Sequence, residues 1–214
     1  MQIRIPYTPR KFQNYLHQRI RDYRWSVLVC HRRFGKTVCM INHLLMAALT
    51  SKVSNPRYAY IAPTFKQAKS IAWDYIKQFT HKIPGVKFNE TELRVDLPNK
   101  ARITLLGSEN CDGLRGIYLD GCVIDEYANV NDRLFPEIIR PALSDRIGFC
   151  IFIGTPQGMN NNFYELFQHA KGADDWFYFK AKASETKVVD QDELTKAKEV
   201  MGENKFKQEF ECDW

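Results

Sequence analysis

The stretch Ser26-Val-Leu-Val-Cys-His-Arg-Arg-Phe-Gly-Lys-Thr37, continued by VCMINHLLMAALT, constrains this chain more than any other. SVLVC is apolar and rich in β-branched residues, which predicts a strand buried on both faces. KTVCMINHLLMAALT predicts a buried helix. A strand feeding a helix through a loop that closes Gly-Lys-Thr is the setting of a phosphate-binding loop. There, backbone N–H groups at the helix start wrap an anion and the lysine neutralises its oxygens. Cys30 stands where such loops open with glycine, and Arg32 and Arg33 make the middle unusually basic.

The flanking sequence predicts the rest of an α/β domain. PRKFQNYLHQRIRDYR predicts a short helix opened by Pro9, with Phe12, Tyr15, Leu16 and Ile20 at helical spacing. RYAYIAP predicts a strand ending at Pro63, after which Thr64 caps the helix FKQAKSIAWDYIKQF. VKFNETELRVDL, the turn Pro98-Asn99-Lys100 and ARITLLG predict a meander; GCVIDEY and GFCIFIGTP predict two more buried strands. This alternation argues a mainly parallel sheet with antiparallel additions. From about Lys171 the texture changes to a short strand, WFYFKAK, and then the charged helices DQDELTKAKEVM and ENKFKQEF, together expected as a small helical appendage. The expected division is therefore 1–170 as core and 171–214 as appendage.

Charge is concentrated at one end. Residues 1–37 hold nine Lys and Arg against one acid, Asp22, while the whole chain is only +6. A net +8 in the first 37 residues leaves −2 for the others, and a positive end of this kind suits a polyanion. The six cysteines lie mostly inside apolar runs, without metal spacing, which predicts buried thiols in a reducing, cytosolic setting. No apolar run approaches the roughly 20 residues that cross a bilayer, and the N-terminus lacks the apolar stretch of a signal peptide.

Three elements carry the chemistry. Lys36 is expected on the phosphate oxygens and Thr37 on Mg²⁺. Gly121-Cys-Val-Ile-Asp-Glu126 is a buried strand ending in two acids, placed at the carboxyl edge of a parallel sheet beside the loop. Asp125 is assigned to the metal and Glu126 to the general base for an attacking water. FCIFIGTP brings Thr155 to the same edge. A fourth candidate is Arg115, ten residues before Asp125 with glycines on both sides, suited to reaching a neighbouring subunit's terminal phosphate; Arg140 and Arg146 are weaker competitors.

YTPRKFQ, CHRRFGKT, GSENCDGLRGIYLDGCVIDEY and IGTPQGMNNNFYELF, in this order, resemble the N-terminal ATPase domain of the large terminase subunit of tailed bacteriophages. The resemblance runs over residues 7–214. It implies an α/β fold of the P-loop NTPase class (ASCE type) with a C-terminal helical lid, and it makes Cys30, Arg32 and Arg33 expected in the loop. It nominates Tyr7, Pro9 and Gln13 for adenine recognition, and His31, Arg32, Arg33, Phe34, Gly35, Lys36, Thr37 and Val38 for the phosphates. Thr155 becomes the sensor of the hydrolysis state, Arg115 the trans-acting arginine, and Arg32 or Arg33 a contact to the γ-phosphate.

The implied function is ATP hydrolysis with Mg²⁺ driving translocation of double-stranded DNA into a procapsid. The implied partners are a homo-oligomeric ring, pentameric by expectation, on a portal protein, together with the small terminase subunit. The implied place is the host cytoplasm, away from membranes. Members of the family continue into a nuclease domain, and nothing in this sequence resembles its metal-binding acids, so an isolated motor domain is expected. A helicase-like ATPase, a non-hydrolysing nucleotide-binding module and a DNA-binding domain without ATPase activity are the rival readings.

Overall fold

The computed structural model describes residues 4–214. Helix α1 (Lys11–Arg19) leads through a 3₁₀ turn to strand β1 (Trp25–Cys30), the basic loop and helix α2 (Lys36–Thr50). Strand β2 (Arg57–Ala62) precedes α3 (Phe65–Ala68), which continues through a π turn into α4 (Asp74–Thr80). Strands β3 (Lys87–Asn89), β4 (Arg94–Asp96) and β5 (Arg102–Gly107) form the meander, and β6 (Gly121–Ile124) follows. The short helix α5 (Arg140–Ala142), β7 (Phe149–Gly154), α6 (Asn162–Gly172), β8 (Trp176–Ala181), α7 (Ala183–Thr186), α8 (Gln191–Met201) and α9 (Glu203–Phe210) complete the chain.

Among the described residues the sheet has eight strands in the order β3-β4-β5-β2-β6-β7-β1-β8. The pairings among β5, β2, β6, β7, β1 and β8 are parallel, and only the β3–β4 and β4–β5 pairings are antiparallel. Strand β7 lies between β1 and β6. Two local expectations shift. Helix α1 opens at Lys11, where the Gln13 side-chain oxygen accepts the otherwise unpaired N–H of the N-cap residue Arg10, one residue beyond Pro9. The short strand expected at WFYFKAK forms, as β8, but it pairs with β1 along six residues and so belongs to the main sheet and not to the appendage. It covers an edge of β1 that would otherwise expose backbone N–H and C=O groups.

Strand periodicity sorts the core into two layers. Leu28, Cys30, Tyr60, Val123, Ile151 and Ile153 face the cluster under α1, α2 and α4. Val27, Val29, Ile61, Ile124 and Phe152 face the other cluster, with Phe163 and Phe167 of α6. The parity matters one step further along. Asp125 and Thr155 continue the first set, so strand alternation alone turns them toward α2 and its lysine.

A buried imidazole pair fastens α1 to α2. His17 and His43 stack with ring centroids 5.4 Å apart and Nδ1 atoms 3.1 Å apart, while Tyr7 Oη lies 3.0 Å from His17 Nε2. Burial, with Arg21 nearby, lowers the pKa of His17 to about 4. Burial, with His17 and Arg21 nearby, lowers that of His43 to about 3. A base whose folded pKa is lowered contributes stability that is full above its unfolded value, 6.5, and is lost as pH falls toward the folded value. Denaturant unfolding at a series of pH values is therefore expected to show a steep loss from about pH 6.5 down to about pH 4. Replacing His43→Gln should remove about 1.4 kcal/mol per pH unit of that slope; an unchanged slope would show that the pair does not titrate with folding.

Candidate active site

Cys30 does not open the loop in a glycine-like conformation. It is the last residue of β1, paired with Ala181 of β8, and left-handed backbone begins only at Arg33 (φ 69°) and Gly35 (φ 89°). A side chain at Cys30 therefore meets no conformational penalty. At Gly35 the left-handed φ of 89° favours glycine, and a Cβ there would in addition push on the Gln13 amide nitrogen, 2.9 Å away. No side chain caps the N-terminus of α2, which leaves the first N–H groups of the helix directed at the loop.

The lysine is already held among oxygens. Lys36 Nζ donates to Thr155 Oγ1 at 3.0 Å, to Cys30 O at 3.2 Å and to His31 O at 3.3 Å. Because β7 lies between β1 and β6, Thr155 stands between the loop and the acids. Its hydroxyl contacts Lys36, and its backbone N–H faces the Glu126 carboxylate.

Asp125 is buried, its Oδ1 accepting the Glu126 N–H at 2.9 Å and its Oδ2 accepting the Tyr60 hydroxyl. Burial raises the Asp125 pKa, opposed by Tyr60 and Lys36. Burial also raises that of Glu126, with the Asp125 charge adding to it and Lys36 opposing. Glu126 adopts left-handed backbone (φ 47°), an arrangement that costs a non-glycine residue about 1–2 kcal/mol. Tyr60 sits on β2 beside Val123 of β6, and it is fully buried. Thr37 lies near the same phenol, so Tyr60 sits beside both residues expected to hold Mg²⁺ and is hydrogen-bonded to Asp125. Their hydroxyl and carboxylate oxygens are the hard donors that Mg²⁺ takes together with water and phosphate.

A cavity of about 370 Å³ is lined by Arg32, Arg33, Lys36, Glu126, Asn129, Thr155, Gln157 and Glu209. Three cations at a helix N-terminus make it suited to an anion. Arg32 Nη1 lies 3.7 Å from Glu209 of α9, whereas no ion pair involves Arg33 among the described residues.

The remaining candidates are placed differently. Phe34 packs into the core and His31 turns away from the cavity, its Nε2 2.7 Å from Thr186 Oγ1 and its pKa lowered by burial. Any contact of theirs with a ligand runs through the backbone, as it does for Val38 in the first turn of α2. Gln13 is buried, donating to Gly35 O at 3.2 Å and accepting from Arg10 N and Tyr7 Oη. It braces the loop, with Tyr7 behind it and Pro9 outside the cavity lining.

Arg115 lies outside the cavity. Its Nε is 3.1 Å from Asp112 and its Nη2 3.2 Å from Glu137, in an exposed network that includes Arg133. Sequence patterns do not point to Tyr60, Asn129, Gln157 or Glu209. Tyr60 alone leaves a trace, as a polar-tipped residue in a fully buried strand.

A family model described as terminase large subunit, T4likevirus-type, N-terminal, matches residues 29–214. The large terminase subunit of Escherichia phage T5 is 24% identical over 200 residues, covering 90% of this chain and 44% of that protein. The large subunit of Thermus virus P23-45 is 31% identical over 126 residues, covering 50% of this chain and 26% of that protein. This chain thus spans less than half the length of either relative. Among solved structures, the large terminase ATPase domain of Thermus phage P74-26 superposes with a TM-score of 0.82 at 21% identity, covering 98% of this chain and 95% of that one. The large terminase of another thermophilic bacteriophage, solved in complex with ADP, gives a TM-score of 0.81 at 15% identity over 95% of this chain and 53% of that one. At such identities the likeness concerns the fold.

Proposed function

This chain belongs to the terminase large-subunit family of the T4-like-virus type, and we propose that it hydrolyses ATP to drive double-stranded DNA into a viral procapsid. The observation that carries the reading is that Lys36, at the start of α2, shares a cavity with Thr155 and Glu126, which follow the ends of the adjacent parallel strands β7 and β6. The complexes of the thermophilic-phage terminase with ADP and with ATP-gamma-S support the same ligand class here.

In this reading the loop amides of Arg33, Gly35, Lys36, Thr37 and Val38 and the Lys36 ammonium bind the phosphates, while Arg32 or Arg33 contacts the terminal one. Thr37 and Asp125 hold Mg²⁺, which when bound offsets phosphate charge. Glu126 accepts the proton of the attacking water on its carboxylate. Thr155, bonded to Lys36 and lining the same cavity as Glu126, changes partners as the phosphate leaves. Tyr7, Pro9 and Gln13 serve the adenine side, which requires Gln13 to loosen its hold on Gly35 or to act through it. Of residues 171–214, those that follow β8 act as lid and linker. Arg115 comes from the next subunit of a ring, expected to be pentameric, on the portal with the small terminase subunit, in the host cytoplasm.

The test is phosphate release from ATP with and without Mg²⁺, followed by DNA uptake into portal-bearing procapsids by an assembled motor containing this chain. Mg²⁺-dependent release and uptake are expected. Nucleotide binding without any release would favour a non-hydrolysing module instead.

A further inference from the structure

We infer that Glu209 determines the nucleotide specificity of the cavity, setting how strongly it prefers a triphosphate to a diphosphate. The inference rests on the nucleotide reading of the site. Glu209 is a carboxylate in a cavity otherwise built for anions. Its side chain is only 10% exposed, with Arg32 at 3.7 Å and Lys205 at 3.0 Å. A buried carboxylate must keep a cation beside it, and Arg32 is one of the cations that an incoming phosphate would also take.

The backbone tightens this link. Arg32 N–H donates to Glu209 O at 2.7 Å, and the neighbouring Gln208 Nε2 donates to Pro156 O at 2.6 Å. Helix α9 therefore grips the phosphate loop and the loop after Thr155 at once. Glu209 also lies within electrostatic reach of Glu126, the residue placed against the terminal phosphate. A third phosphate meets the field of Glu209 and competes for Arg32. A diphosphate ends short of Glu126 and meets less of either effect. The carboxylate thus weakens triphosphate binding selectively, and a bound triphosphate loosens α9.

Equilibrium titration of the chain and of its Glu209→Gln variant with a non-hydrolysable ATP analogue and with ADP tests this. Removing one like charge at short range should tighten analogue binding about tenfold and ADP binding less than about twofold. Equal or weaker analogue binding by the variant overturns the inference. Amide deuterium exchange on the wild type is the second measurement, and it stands even if the variant does not fold. Exchange across 203–210 should be faster with the analogue than with ADP, and identical exchange overturns the inference. Wild-type protein that binds neither nucleotide would sink the reading of the site and this inference with it. Firm wild-type binding that ignores Glu209→Gln would sink only the role of Glu209.

Discussion

Glu126→Gln is expected to keep ATP affinity within a few-fold of wild type while lowering phosphate release by about 10²–10⁴-fold. The substitution is close to isosteric, and glutamine tolerates the left-handed backbone at 126 no worse than glutamate does. The phosphate-holding groups, Lys36 and the first amides of α2, are on other elements and are untouched. What disappears is a proton acceptor whose pKa is raised by burial and by the Asp125 charge, which brings it nearer to the working pH. The amide cannot take the proton of the attacking water. An equilibrium titration with ATP beside a phosphate-release assay separates the two effects, and wild-type turnover in the variant would remove Glu126 from the role of base. In the parent protein the rate should fall as pH drops through the raised Glu126 pKa, because protonation removes the base.

Arg115→Ala should cost the assembled motor about 10³–10⁵ in rate, the range of arginine fingers in other nucleotide hydrolases. The same change should leave the dilute, unassembled chain unaffected. The contrast follows from where the residue sits. Its side chain is 52% exposed and does not line its own cavity. Its partners Asp112 and Glu137 are solvent-exposed carboxylates already shared with Arg133, and such pairs are screened by water and salt. Little therefore holds Arg115 at home when a neighbour's phosphate competes for it. ATPase activity measured across protein concentration, and on portal-bearing procapsids, distinguishes the cases. An equal loss in dilute monomer would argue for an effect on the chain's own site, and an unchanged assembled rate would remove Arg115 as the finger.

Residues brought together by short-range pattern were legible from the start. SVLVC, the Gly-Lys-Thr turn and the apolar helix after it are contiguous, so buried strand, loop and helix follow from local hydrophobicity and turn chemistry. Asp125 and Thr155 follow the same logic, since each continues the alternation of its own strand and lands on the α2 side. The loop arginines illustrate the limit. Their presence is plain in the sequence, but Arg32 pairs with Glu209, far along the chain on α9.

The local units are written in the order of the residues: a phosphate loop between a buried strand and a buried helix, two acids at a strand end, and the Thr155 turn. These depend on periodicities of about two and 3.6 residues and on the conformational limits of glycine and proline, all of which act within a few positions. Folding of the whole chain is what sets β7 between β1 and β6, adds β8 to the sheet, brings Tyr60 to Asp125, and brings α9 back to Arg32. Those contacts arise from strand order and from burial shared across the entire domain. Nothing in the spacing of two distant residues encodes which strand edges and which buried charges must find one another.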